Sequence, residues 1–236
     1  MTRPDRHCSR PALAALAALC TLAACTREAA TTPPVDGTSQ PLAADTLLLT
    51  LDGIEFRWGD AAAPIAFYDS VYPQWSLRTK LRKVLEDHLV PLRLAQRAFP
   101  ELRAEQLQKA RAMQSVCGNA LELARKAEGM HHRRGEVGLQ VVEVPVAMFL
   151  LDRAKLGSVS DPVELPQGYM LCGALDLREG GVVGDDLVDA VQVPFQTHDH
   201  PTFRKWLDEQ QAALATKASF VHPEYRNAMP VWLKLP

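Results

Sequence analysis

Residues Tyr169 to Leu175 read YMLCGAL, a short and almost unbroken apolar run. A strand with one wet face alternates apolar and polar residues, and a helix needs a longer stretch. A run this short and uniform suits a central strand covered on both faces. The rest of the chain therefore has to supply two covering layers. It offers helices with a single apolar stripe. In WSLRTKLRKVLEDHLVPLRLAQRAF, residues Leu77, Leu81, Val84, Leu85, His88, Leu89 and Leu92 share one stripe, and Pro91 is expected to kink or split it. A second helix is expected from Leu102 to Glu128, with Leu107, Ala110, Met113, Cys117, Ala120, Leu121 and Ala124 inward and Gly129 as C-cap. A third, HPTFRKWLDEQQAALATKASF, begins with Pro201 in its first turn.

Strands are expected elsewhere. LLLTLDGIEFRWGD places two apolar runs around Asp52-Gly53, the strongest short hairpin signal. Val137, Leu139 and Val141 alternate, VAMFLL fits one or two helical turns, and VDAVQVPF forms a further strand. The class is α+β. With 236 residues, 47% of them hydrophobic and 23% charged, the chain can bury one or two cores.

The first residues belong to a different grammar. Arg3, Arg6 and Arg10 precede PALAALAALCTLAAC, an apolar run built like the h-region of a signal peptide. Its end, Leu22-Ala23-Ala24-Cys25, resembles the lipobox of bacterial lipoproteins. That resemblance implies cleavage before Cys25 and lipid on its thiol; a plain secretory signal with an incidental cysteine is the alternative. Either way the protein is exported. The expected mature chain is anchored in the bacterial envelope facing the periplasm, and Thr26 after the cysteine resembles the outer-membrane-sorted pattern. Without residues 1–24 the 26 basic and 28 acidic side chains become 23 and 27, a net charge of −4. No basic block stands clear of acids, so no nucleic-acid partner is expected. Only Cys117 and Cys172 then remain, an even pair in an oxidising compartment, for which a disulfide is expected and two buried thiols are the alternative.

Residues 118–179 carry an ordered set of short motifs: Gly135-Glu136-Val137-Gly138, then Pro145, then twelve residues on Gly157-Ser158-Val159-Ser160-Asp161-Pro162-Val163, and finally Gly168-Tyr169 opening the apolar run. In order and spacing this resembles the C-terminal half of the parvulin-type peptidyl-prolyl isomerases of the SurA and PrsA kind. The hairpin and long helix before it resemble the chaperone-like region of such chains. The resemblance implies a parvulin-like antiparallel sheet packed with helices, flanked by an N-terminal hairpin-helix segment and a C-terminal helix. The expected divisions are a signal peptide at 1–24, a lipidated cysteine and tether at 25–46, and an N-terminal segment at 47–103. A parvulin-like domain at 104–196 and a C-terminal helix and tail at 197–236 complete them.

The resemblance also implies a function: binding unfolded or proline-containing polypeptides, without cofactor or metal. An X–Pro bond crosses a barrier of about 18–20 kcal/mol, which such a site lowers by gripping the ring and favouring the twisted amide. Met148, Phe149, Tyr169 and Met170 are the residues expected to form the binding cup. Yet Met170 stands where the family has histidine, Ala147 where it has a cradle phenylalanine, and LRLAQRAF (Leu92 to Phe99) lacks the histidine of the family's first strand. No catalytic residue is assigned, and isomerase activity is expected to be weak or lost. The alternative is a structural envelope lipoprotein whose domain docks one dedicated partner. His131-His132-Arg133-Arg134 reads as solvated loop. Thr197-His198-Asp199-His200 packs its ligand types too tightly for a metal site. His88 reads as a core histidine, and Phe149, Tyr169 and Trp206 also read as core.

Overall fold

The computed structural model describes residues 42–138, 142–180 and 185–235. The expected signal, Cys25 and most of the tether lie outside these residues, as do Leu139 and Val141. The fold is α+β, with two antiparallel sheets.

Strands β1 (Leu47–Leu51) and β2 (Ile54–Arg57) form the expected hairpin. Asp52 and Gly53 both take positive φ, 48° and 78°, which matches the right-handed twist of the strands. Helix α1 (Trp58–Val71) follows at once, closed at its start by Asp60, whose carboxylate accepts from the Arg57 backbone N–H at 3.2 Å. Ser76 caps α2 (Leu77–Val84), its hydroxyl accepting from the Thr79 N–H. The chain then makes one π-helical turn, Leu85–Leu89, before α3 (Val90–Ala98). The Val90 N–H reaches Leu85 O, five residues back. Pro91 cannot donate and would crowd the carbonyl four residues earlier, and the wider turn accommodates it without breaking the helix. The expected stripe is inward: Leu81, Val84, Leu85, Leu89 and Leu92 are buried.

The helix expected over Leu102–Glu128 is two helices: α4 (Pro100–Gln114) and α5 (Ala120–Ala127). Asn119 makes the break, its side chain accepting from the Glu122 N–H at 3.0 Å as an N-cap. The interruption rotates the phase. Ala120, Leu123, Ala124 and Ala127 face inward, while Leu121 is 56% exposed. Then follow β3 (Arg133–Gly138), α6 (Val144–Leu150), β4 (Val163–Leu165), β5 (Gly168–Arg178), β6 (Leu187–Gln196), α7 (His200–Leu214) and β7 (Ala218–Val221).

One sheet runs β2-β1-β7 and the other β3-β6-β5-β4. In the first, Leu48, Leu49 and Leu51 pack against α1 to α3, α7 and the C-terminal residues Tyr225, Met229 and Leu233. In the second, β5 is an interior strand covered on both faces, as its composition requires. Leu171, Val191 and Val193 pack with Ala110 and Leu123 on the face of α4 and α5. Cys172, Ala174 and Ala190 pack with Val146 and Leu150 of α6. Gly173 lets α5 lie close, since a Cβ there would come within 2.8 Å of Ala120 Cβ.

The same alternation overturns the expected disulfide. Cys117 and Cys172 are both free and buried. Cys117 belongs to the cluster under α4 and α5, and Cys172 to the cluster under α6. Neighbouring strand positions point to opposite faces, so a side chain beside Leu171 in sequence turns away from Cys117. Burial raises the thiol pKa of both.

Candidate functional site

The turn from β4 into β5, Leu165-Pro166-Gln167-Gly168, leads directly into Tyr169 and Met170, two of the four residues expected to form a binding cup. Gly168 sits at φ 144°, and a Cβ there would lie 2.1 Å from Phe195 O. Only glycine fits. Gln167 O accepts from the Thr197 N–H at 2.9 Å, tying the turn to the end of β6.

Beneath the turn lies a polar knot anticipated by no motif. Arg103, 3% exposed, donates from Nη1 to Pro166 O at 2.8 Å. Its Nη2 donates to Leu165 O and Glu164 Oε1, both at 3.0 Å. Gln96 Nε2 reaches the same carboxylate oxygen at 3.0 Å, and the Tyr169 hydroxyl donates to it at 3.4 Å. The Arg103 guanidinium stands 5.3 Å from the Tyr169 ring centre. Burial would raise the Glu164 carboxyl, but the bonds from Gln96 and Arg103, the Arg103 charge and Tyr169 together hold it below its ordinary value. Burial, and then the Glu164 charge, push the Tyr169 phenol up. Burial depresses His88, partly offset by Glu164, and its Nδ1 has no hydrogen-bond partner among the described residues. Helix periodicity held a signal for Arg103, which stands one turn before Leu107 on the inward stripe of α4.

The four expected cup residues are not gathered at one point. Phe149 and Met170 pack against the α6 cluster, whereas Tyr169 packs against the cluster on the opposite face. Met148 is half-buried on α6. Ala147 is 1% exposed. His131 is exposed, and His132 Nδ1 lies 3.1 Å from Met130 O. Asp199 caps α7 through the Thr202 N–H at 2.8 Å, which holds its carboxyl below the usual range. The His198 ring lies tilted against Phe99, with ring centres 4.5 Å apart. Among the described residues no group of three or more His, Cys, Asp or Glu converges as a metal site, and no helix is long and apolar enough to cross a membrane.

Among the described residues, concavities lie on several sides of the second sheet. A half-open cavity of about 320 Å³ lies between the π turn, the Pro166-Gln167 turn and α7, with Glu86, Asp87 and Glu143 beside Phe203 and Leu207. A wider groove of about 630 Å³ opens over the end of β6. Met113, Ala112, Met130, Pro194 and Phe195 form its apolar lining, and Lys109, Lys126, Gln106 and Gln196 its polar one. Unbranched methionines adapt to many shapes, so such a lining accepts varied apolar side chains.

The chain matches no family model, no curated protein and no solved structure.

Proposed function

We propose that this protein is a lipid-anchored periplasmic foldase of the parvulin-type peptidyl-prolyl isomerase kind, one that holds unfolded or proline-containing polypeptides and has lost most or all isomerase activity. The motif resemblance supports the family. Its segments fall on distinct elements: Gly135 to Gly138 in β3, Pro145 in α6, Pro162-Val163 entering β4, and Gly168-Tyr169 opening β5. All four strands of that sheet follow α4, so the family's histidine-bearing first strand has no counterpart in it among the described residues. Met170 is half-buried against the α6 cluster, which supports the reading that isomerase activity is weak or lost.

The observation that carries client binding is the methionine-lined groove over β6. The test has two arms. The protein should delay aggregation of a chemically unfolded client while leaving the rate of a prolyl-peptide isomerisation assay near its uncatalysed value. A rate matching an ordinary parvulin would disprove the loss of catalysis. Crosslinking that captured one stoichiometric partner and no spread of clients would favour the dedicated structural subunit.

A further inference from the structure

The groove has a feature that apolar lining alone does not provide: its floor is an open sheet edge. Pairing of β3 with β6 ends at Arg133 and Gln192, but β6 continues to Gln196. From Val193 to Gln196 the strand is paired to β5 on one side, and among the described residues no strand pairs with the other. The hydrogen bond from Thr197 N–H to Gln167 O sets the phase, so odd-numbered residues here face β5 and even-numbered ones face outward. Pro194 accordingly stands where its missing N–H deprives no interior partner. The outward groups are the Pro194 carbonyl and both backbone groups of Gln196. Met130, Met113 and Ala112 wall the space above them. Lys109 and Lys126 are the charged residues of that lining; Lys109 also pairs with Glu105, outside the lining, at 2.6 Å, in a chain whose net charge is negative.

From this geometry we infer that client segments bind here by β-addition, as an extended strand antiparallel to β6 that continues the line of β3. The preferred segment carries an apolar anchor with a carboxylate two positions away, the spacing that puts both on one face of a strand. The anchor enters the methionine groove and the carboxylate meets Lys126, or Lys109 in exchange for Glu105. The client supplies N–H groups to Pro194 O and Gln196 O and accepts one from Gln196. This mode rests on the client-binding reading above.

The probe is a fluorescein-labelled peptide centred on Glu-Thr-Leu-Thr-Glu, titrated onto the full chain. Comparators are its Lys-Thr-Leu-Thr-Lys counterpart and two forms N-methylated on alternate peptide nitrogens, in opposite phases. The acidic peptide should bind about tenfold more tightly than the basic one. One N-methyl phase should lose binding by a similar factor while the other keeps it, because only one row of N–H groups faces β6. The surface variant K109E/K126E, its fold checked by far-UV circular dichroism, should reverse the charge preference. Equal binding of both N-methyl phases, or indifference to peptide charge, overturns β-addition and leaves client binding standing. If no peptide binds and client aggregation is not delayed, the client-binding reading itself falls.

Discussion

Arg103 shows how one residue ties distant chain together: its guanidinium grips two backbone carbonyls and a carboxylate from the β4–β5 turn. Replacing it with methionine removes those bonds. Arg103→Met should cost about 2 kcal/mol in urea unfolding, because it strands the carbonyls of Leu165 and Pro166, whereas the Glu164 side chain, 39% exposed, can turn to water. Glu164 adds a pH signature. Its folded pKa lies below the unfolded value, so its contribution is full above the unfolded value of about 4.5 and is lost as pH falls through the folded one. Glu164→Gln should flatten that acid limb, read as urea midpoints against pH. His88 is also depressed in the fold, by burial of its ring. Protonation of the unfolded chain below about 6.5 therefore erodes stability, and His88→Leu should remove that earlier loss. Gly168→Ala should lower the thermal midpoint more than Gly53→Ala, since only the former drives a Cβ into a carbonyl. Of these residues the sequence marked the glycines and His88 by motif and stripe. Arg103 stands on the inward stripe of α4, but its partner Glu164 was hidden because an ion pair between α4 and β4 leaves no local pattern.

Elements were legible where a single periodicity ran unbroken. The apolar run Tyr169 to Leu175 became an interior strand, and Asp52-Gly53 made its turn. Helix α1 escaped notice because alanines and Pro64 give AAAPIAF no amphipathic stripe; its buried Ala61, Ile65 and Tyr68 are set by tertiary packing. The break at Asn119 was missed because Cys117, Ala120 and Ala124 keep helical spacing across it, though only a cap could reveal the change of phase. Asn119→Ala should cost about 1 kcal/mol and speed amide exchange within α5, leaving β6 protected. The disulfide failed for a related reason: cysteine count says nothing about which face of a strand a thiol takes. Alkylation followed by peptide mapping should label Cys117 and Cys172 only after denaturation.

At the scale of the whole molecule, the chain leaves its first sheet at α3, builds the second, and returns through α7 to lay β7 against β1. The return itself had no sequence signal, since ASFV is too short to declare a partner. Phe99 leaving α3 meets His198 and Trp206 on the way back, with ring centres 4.5 and 4.7 Å apart. This path sets an order in time. The second sheet is made from contiguous chain and can close as soon as β6 is available. Leu49, fully buried in the finished molecule, has to wait for Val221. Pulse-labelled amide exchange during refolding should therefore protect β5 and β6 before β1. Until the last residues arrive, β1 keeps one open edge beside half-covered leucines, and a newborn copy of this protein briefly presents the kind of surface it is proposed to hold.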